Sequence, residues 1–146
     1  MFIGQYENSI DSKSRLIVPA RFRNELGSQC VVAKGIDRCL TINTMDAWQD
    51  FLRKLDELPQ SNPEARKFKR HFTSGADVCD IDKQGRITLP QKLRAYAGIT
   101  KDLVTIGNST NIEVWSKEFW DEEVDQDTGE ILDASELGRS MEKYGF

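Results

Sequence analysis

Two short stretches carry the side chains best suited to contact a phosphate or a base edge: Asp11-Ser12-Lys13-Ser14-Arg15 and Asp82-Lys83-Gln84-Gly85-Arg86. A carboxylate at the start of a tight connection accepts backbone N–H bonds and so holds the loop in shape. The arginine four residues on then leaves the loop at a defined place. Its five N–H donors form a rigid fork that matches two phosphate oxygens, or the O6 and N7 of a guanine. Lys13 and Lys83 add point charge for phosphates beside it. A single Asp-x-x-x-Arg is most simply an ion pair across a turn, and a surface pair contributes only about 0–1 kcal/mol. That is too little to explain why the pair recurs, each time beside a lysine and before Pro19 or Pro90.

Little else in the chain suggests chemistry. His71 is the only histidine, so a His-based nucleophile or a metal centre has few groups to draw on. Cys30, Cys39 and Cys79 are odd in number, lie in apolar surroundings and form no C-x-x-C pair. They read as buried, reduced thiols rather than a disulfide framework or a zinc cluster. No phosphate-cradling glycine loop is present. The expectation is a protein that is not an enzyme, with no cofactor, no metal and no small-molecule substrate.

The net charge of -4 argues against nucleic acid only until it is mapped along the chain. Residues 1–100 carry 16 Lys+Arg against 12 Asp+Glu, a balance of +4, and residues 101–146 carry 4 against 12, a balance of -8. Because fields fade over about 8 Å at physiological salt, a phosphate responds to the local patch and not to the total. The 38% apolar and 30% charged composition is that of a globular protein. Neither a signal-peptide run at Met1–Ile10 nor an apolar stretch of membrane-spanning length is present, which points to a cytoplasmic protein without a membrane partner.

The elements that must position the loops repeat with them. Ile10 to Pro19 returns as Ile81 to Pro90 at an offset of 71, continuing through Arg23 with Arg94 and Leu26-Gly27 with Ala97-Gly98. After one inserted residue the spacing pairs Val31 with Leu103, Gly35 with Gly107, Leu40 with Ile112, Ile42 with Val114 and Trp48 with Trp120. Each half reads as strand, loop, strand, a short helix with proline at its first position, then a hairpin and a further helix. Gly27 and Gly98 are expected to end the short helices in left-handed conformation. The hairpin turns are expected at Gly35-Ile36-Asp37-Arg38 and Gly107-Asn108-Ser109.

Ala47, Trp48, Phe51, Leu52, Leu55 and Leu58 recur at helical spacing, predicting a core-facing helix from near Thr44 to Pro59. Asn62 and Pro63 open a second helix with a basic face at Arg66, Lys67, Lys69 and Arg70. The organisation that follows is a first repeat over 5–48, a helical linker over 49–76, a second repeat over 77–120 and a mobile acidic tail over 121–146, with a short helix around Leu137 to Tyr144. The fold class is α+β and mainly β. One half alone would expose two strand edges, and two halves that intertwine their strands into a closed barrel remove them.

The opening Met1-Phe2-Ile3-Gly4-Gln5-Tyr6, both Asp-x-x-x-Arg loops with their following prolines, and Gly75-Ala76 before the second copy resemble the MraZ family of bacterial regulators over about residues 1–120. The resemblance implies a duplicated AbrB-like swapped-hairpin β-barrel with flanking helices, made within one chain. It further implies a homo-oligomeric ring such as an octamer, nucleoid association, and binding of double-stranded DNA at G-rich direct repeats. Those repeats lie in the promoter of a division and cell-wall gene cluster, with repression as the usual outcome. Carried over by position, Asp11, Arg15, Asp82 and Arg86 are the motif residues and the arginines touch DNA. Family loops usually have glycine before the arginine, as Gly85 stands here. Ser14 departs from that pattern, and a left-handed serine costs roughly 1 kcal/mol, so the first loop is expected to differ from the second. A rival reading is a DNA-binding antitoxin of similar barrel whose acidic tail wraps a partner protein.

Overall fold

The computed structural model describes residues 1–146 as eight strands and six α-helices, closed by a short 3-10 turn. In chain order these are β1 (Phe2–Ser9), β2 (Arg15–Ile17), α1 (Ala20–Leu26), β3 (Gln29–Lys34), β4 (Leu40–Thr44), α2 (Met45–Asp56) and α3 (Pro63–Gly75). Then follow β5 (Asp77–Asp80), β6 (Arg86–Thr88), α4 (Gln91–Ala97), β7 (Asp102–Ser109), β8 (Asn111–Ser116), α5 (Lys117–Glu123) and α6 (Ala134–Met141). The class is α+β, as the residue patterns imply, but it is not mainly β: the six α-helices hold 54 residues and the eight strands 43. No helix is long and apolar enough to cross a membrane.

The strands are exchanged between the halves. A six-stranded sheet runs β1-β7-β8-β4-β3-β5, and β2 and β6 form a separate ribbon. β1 of the first half lies on β7 of the second, and β5 of the second half lies on β3 of the first, both antiparallel. The pairings are related by an approximate two-fold. Leu40 faces Val114 and Ile42 faces Ile112 about the Thr41–Glu113 pair. On the ribbon, Arg15 faces Thr88 and Ile17 faces Arg86 about Leu16–Ile87. One core cluster unites the halves, with Phe2, Leu16, Val18, Phe22, Ile42, Ile87, Leu89, Leu93, Leu103 and Val114 all closed to solvent.

The register corrects the repeat alignment by one residue. Leu103 lies opposite Asn8 and Ser116, and Cys30 occupies the matching place opposite Cys79 and Thr44. Cys30, not Val31, is therefore the mate of Leu103, and both point into the shared core. The difference is absorbed at the hairpin tips: Lys34 and Leu40 are a pair enclosing five residues, whereas Gly107 and Ile112 enclose four. Gly107, expected in a turn, is inside β7 opposite Gly4 of β1. A β-carbon there would run into the backbone of Phe2 and Ile3, so its role is close approach between strands. The turn itself is Ser109-Thr110, with Ser109 at φ 67°.

Pro19 and Pro90 precede the first helical residue instead of occupying it, with ψ of 135° and 145°. Gly98 takes the expected left-handed conformation, whereas Gly27 has φ 79° and ψ -147°, a region essentially confined to glycine. Helix starts were more legible. The Thr44 and Ser116 hydroxyls accept from the amides of Ala47 and Phe119, and the Asn62 side-chain Oδ1 from those of Glu64 and Ala65. In α2 only Leu55 is fully buried; Trp48, Phe51 and Leu52 are partly buried and lie outside the main core cluster, so the helix is less a core element than its spacing suggests. Packing continues into the acidic segment as far as Val124, which is buried with Cys39, Trp115 and Trp120. Beyond it, Val124 bridges to Ile131 and α6 follows, earlier than the helix expected at Leu137 to Tyr144.

Candidate nucleic-acid interface

Each Asp-x-x-x-Arg segment forms one closed unit. Asp11 Oδ1 accepts from the amides of Lys13 and Arg15, both at 2.9 Å, and Oδ2 accepts from Arg15 Nε at 2.8 Å. Asp82 Oδ1 accepts from the amides of Gln84 and Arg86 at 2.9 and 2.8 Å, and Oδ2 from Arg86 Nε at 2.7 Å. The backbone of each loop closes on itself, with Asp11 and Asp82 amides donating to the Arg15 and Arg86 carbonyls at 3.0 and 3.1 Å. These bonds stabilise the charged carboxylates, foremost the backbone bonds from Arg15 and Arg86, and hold both acids below the ordinary value of 3.8.

The aspartates engage only the Nε edge of each guanidinium. The Nη nitrogens of Arg15 and Arg86 make no hydrogen bond within the chain, and the side chains are 25% and 28% exposed. Each guanidinium is thus oriented at Nε by its aspartate while its Nη donors are left without a partner in the chain, as a bidentate contact to guanine or phosphate needs. Strand alternation settles where the forks stand. Leu16 and Ile87 point into the core, so Arg15 and Arg86 share the outer face of the β2–β6 ribbon. They are diagonal neighbours, with Cα atoms roughly 7–8 Å apart in such a pairing.

Each loop is also bonded to the opposite half. The Leu89 amide donates to the Ser14 carbonyl at 2.9 Å, and the Val18 amide to the Gly85 carbonyl at 2.8 Å. Ser14 adopts φ 61° beside 79° at Gly85, and the Ser14 and Gly85 amides make matching bonds to Asp11 and Asp82 at 3.0 and 2.9 Å. The expected difference in loop shape is therefore absent, because the carboxylate and the cross-half bond together impose the same backbone. What differs is the space. At Gly85 a β-carbon would lie well inside contact distance of the Arg23 guanidinium, whose Nε donates to the Val18 carbonyl at 2.9 Å. Arg94 makes the equivalent bond to the Leu89 carbonyl at 3.0 Å, next to a loop where Ser14 already carries a β-carbon.

Lys13 and Lys83 are both exposed but not equivalent: at the offset of 71, Lys13 matches Gln84 and Lys83 matches Ser12. Arg23 and Arg94 were visible in the sequence only as a repeated pair, and their role behind the loops is set by the strand exchange. On the α3 basic face, Lys69 is paired with Asp56, which offsets one of its four charges, while Arg66 is oriented by donating to the Gln60 carbonyl and keeps its charge.

An α+β chain of two strand-exchanged repeats, each presenting an aspartate-held arginine on a common ribbon, is the class of protein that this geometry defines. The family model of the MraZ protein, described as antitoxin-like, matches it twice, over residues 1–71 and 72–136. Curated relatives named transcriptional regulator MraZ include those of Clostridium tetani and Alkaliphilus metalliredigens, each 46% identical over 146 residues and the whole of both chains. That of Caldanaerobacter subterraneus is 51% identical over 122 residues, 84% of this chain and 85% of its own. The chain belongs to the MraZ family.

Proposed function

We propose that this protein is a transcriptional regulator that binds double-stranded DNA through the outer face of the β2–β6 ribbon. The observation that carries the reading is the pair of arginines held at Nε by Asp11 and Asp82 with their Nη donors open on one face. Arg15 and Arg86 grip guanine edges, Lys13 and Lys83 contact phosphates, and Asp11, Asp82 and Gly85 keep the loops in shape. The strand exchange supports a duplicated AbrB-like swapped-hairpin barrel, with repeats over 5–48 and 77–120, a helical linker over 49–76 and a mobile tail over 121–146. The target is a set of G-rich direct repeats in the promoter of the regulator's own division and cell-wall cluster, and the outcome is repression. A cytoplasmic, nucleoid-associated homo-oligomeric ring, such as an octamer, engages several repeats together through effective concentration.

Changing Arg15 and Arg86 together to alanine tests this. The expected result is loss of retardation of a G-rich repeat duplex with an unchanged mass by light scattering. Retained binding by the double variant overturns the assignment.

A second reading has its own observation. α6 carries Leu137 and Met141 exposed, with Tyr144 just beyond, on the acidic segment. An antitoxin-like role would have this segment hold a partner protein. Co-purification of a small basic protein that is lost on removal of residues 125–146 would support it.

A further inference from the structure

The outer face of the β2–β6 ribbon carries four side chains, and one breaks the two-fold pattern. Arg15 and Arg86 are repeat mates and alike, whereas Ile17 and Thr88 are mates and differ. Ile17 is 50% exposed, although it stands over the fully buried pair Leu16 and Ile87. Isoleucine and its mate threonine both suit a strand, so strand formation does not require the larger apolar group at this outward position. Ile17 lies directly opposite Arg86, with β-carbons about 4.5–5.5 Å apart in such a pair.

The backbone beneath it is also held more firmly than at its mate. Asn8 Nδ2 donates to the Ile17 carbonyl at 3.1 Å; the corresponding contact to the Thr88 carbonyl is a thiol, Cys79 Sγ, at 4.0 Å. The prominent apolar group that a base pair presents in the major groove is the C5-methyl of thymine. We propose that Ile17 is a specificity residue that packs on the methyl of a thymine next to the guanine gripped by Arg86. The proposal rests on the DNA-binding reading above and deepens it. Without Ile17 the two base-reading arginines would be related by the two-fold, and the unequal Lys13 and Lys83 would bear on phosphates alone. With it, the Arg86 side and the Arg15 side differ, and the chain has one preferred polarity on the duplex. Head-to-tail repeats suit such a module better than palindromes.

The test removes the methyl alone. A duplex is selected from a random-sequence pool by the full-length wild-type protein, each thymine is replaced in turn by deoxyuracil, and affinity is measured by fluorescence anisotropy at one salt concentration. The expected result is one thymine per repeat whose replacement weakens wild-type binding about threefold to fivefold, the worth of one buried methyl. Ile17→Ser, which has no methyl to offer, should bind the thymine and deoxyuracil duplexes equally. Thr88→Ile should gain sensitivity on a duplex that also carries thymine at the two-fold-related position. An unselective response of the wild type, or full sensitivity retained in Ile17→Ser, overturns the proposal while leaving DNA binding in place. A lower mass of Ile17→Ser in light scattering makes Ile17 a contact between copies and overturns it too. If the wild type enriches no duplex at all, the DNA-binding reading fails first.

Discussion

Gly85→Ala is the substitution whose cost the structure specifies best. A β-carbon at φ 79° carries a left-handed penalty of about 1–2 kcal/mol. The same carbon also occupies the space of the Arg23 guanidinium, which must leave its bond to the Val18 carbonyl. A hydrogen bond from a charged donor contributes about 1.5–3 kcal/mol. Together these predict a destabilisation of about 2.5–5 kcal/mol, or a fall in Tm of about 5–20 °C for a chain of this size. The assay is urea unfolding followed by tryptophan fluorescence at fixed protomer concentration, since assembly shifts apparent stability. A double-mutant cycle separates the two causes. In an Arg23→Ala background the collision is gone, and Gly85→Ala should cost only the backbone penalty, giving a coupling of about 1.5 kcal/mol or more. Additive costs, or a single-variant loss below about 1 kcal/mol, would refute the reasoning. Ser14→Gly makes the contrast. Relief of the left-handed serine is nearly offset by the added freedom of the unfolded chain, so its net effect should stay within about 0.5 kcal/mol.

Because the native loops hold Asp11 and Asp82 below 3.8, the folded state binds fewer protons than the unfolded one. The loop contribution is therefore present above that value and lost as pH falls beneath it. Carboxyl carbon NMR should show both midpoints under 3.8 and no change between about pH 5 and 8; a midpoint above the ordinary range would contradict the hydrogen-bonded geometry. Burial pushes the thiols of Cys30 and Cys39 up to about 12 and that of Cys79 to about 11. A disulfide reagent at pH 8 should thus leave the native protein unmodified and titrate all three only after denaturation, and rapid native labelling would argue against this packing. Lys13→Ala and Lys83→Ala should each lower the slope of log affinity against log salt by about 1 without changing the preferred duplex. Arg86→Ala should relax base preference instead.

Much of this protein was legible in one dimension because the signals are local. Hydroxyl and amide caps at Thr44 and Asn62 act within three residues, so the starts of α2 and α3 followed from residue type. The recurrence of Asp11, Arg15 and Pro19 as Asp82, Arg86 and Pro90 exposed the duplication and the candidate site together. An aspartate four residues before an arginine also specifies its own loop, since both carboxylate oxygens are used within the segment.

The tertiary structure alone decided what joins distant segments. Backbone ladders are made by groups common to every residue, so residue type did not announce that β1 lies on β7 or that β5 lies on β3. The one-residue slip that pairs Cys30 with Leu103 in the repeat became visible only through the faces buried in the shared core. Ser14 was expected to set its loop apart, yet a carbonyl bonded to Leu89 of the other half imposes the same backbone as at Gly85. The two arginines meet on one face for the same physical reason: the exchanged ribbon turns Leu16 and Ile87 inward, and the period of two then turns Arg15, Ile17, Arg86 and Thr88 out together.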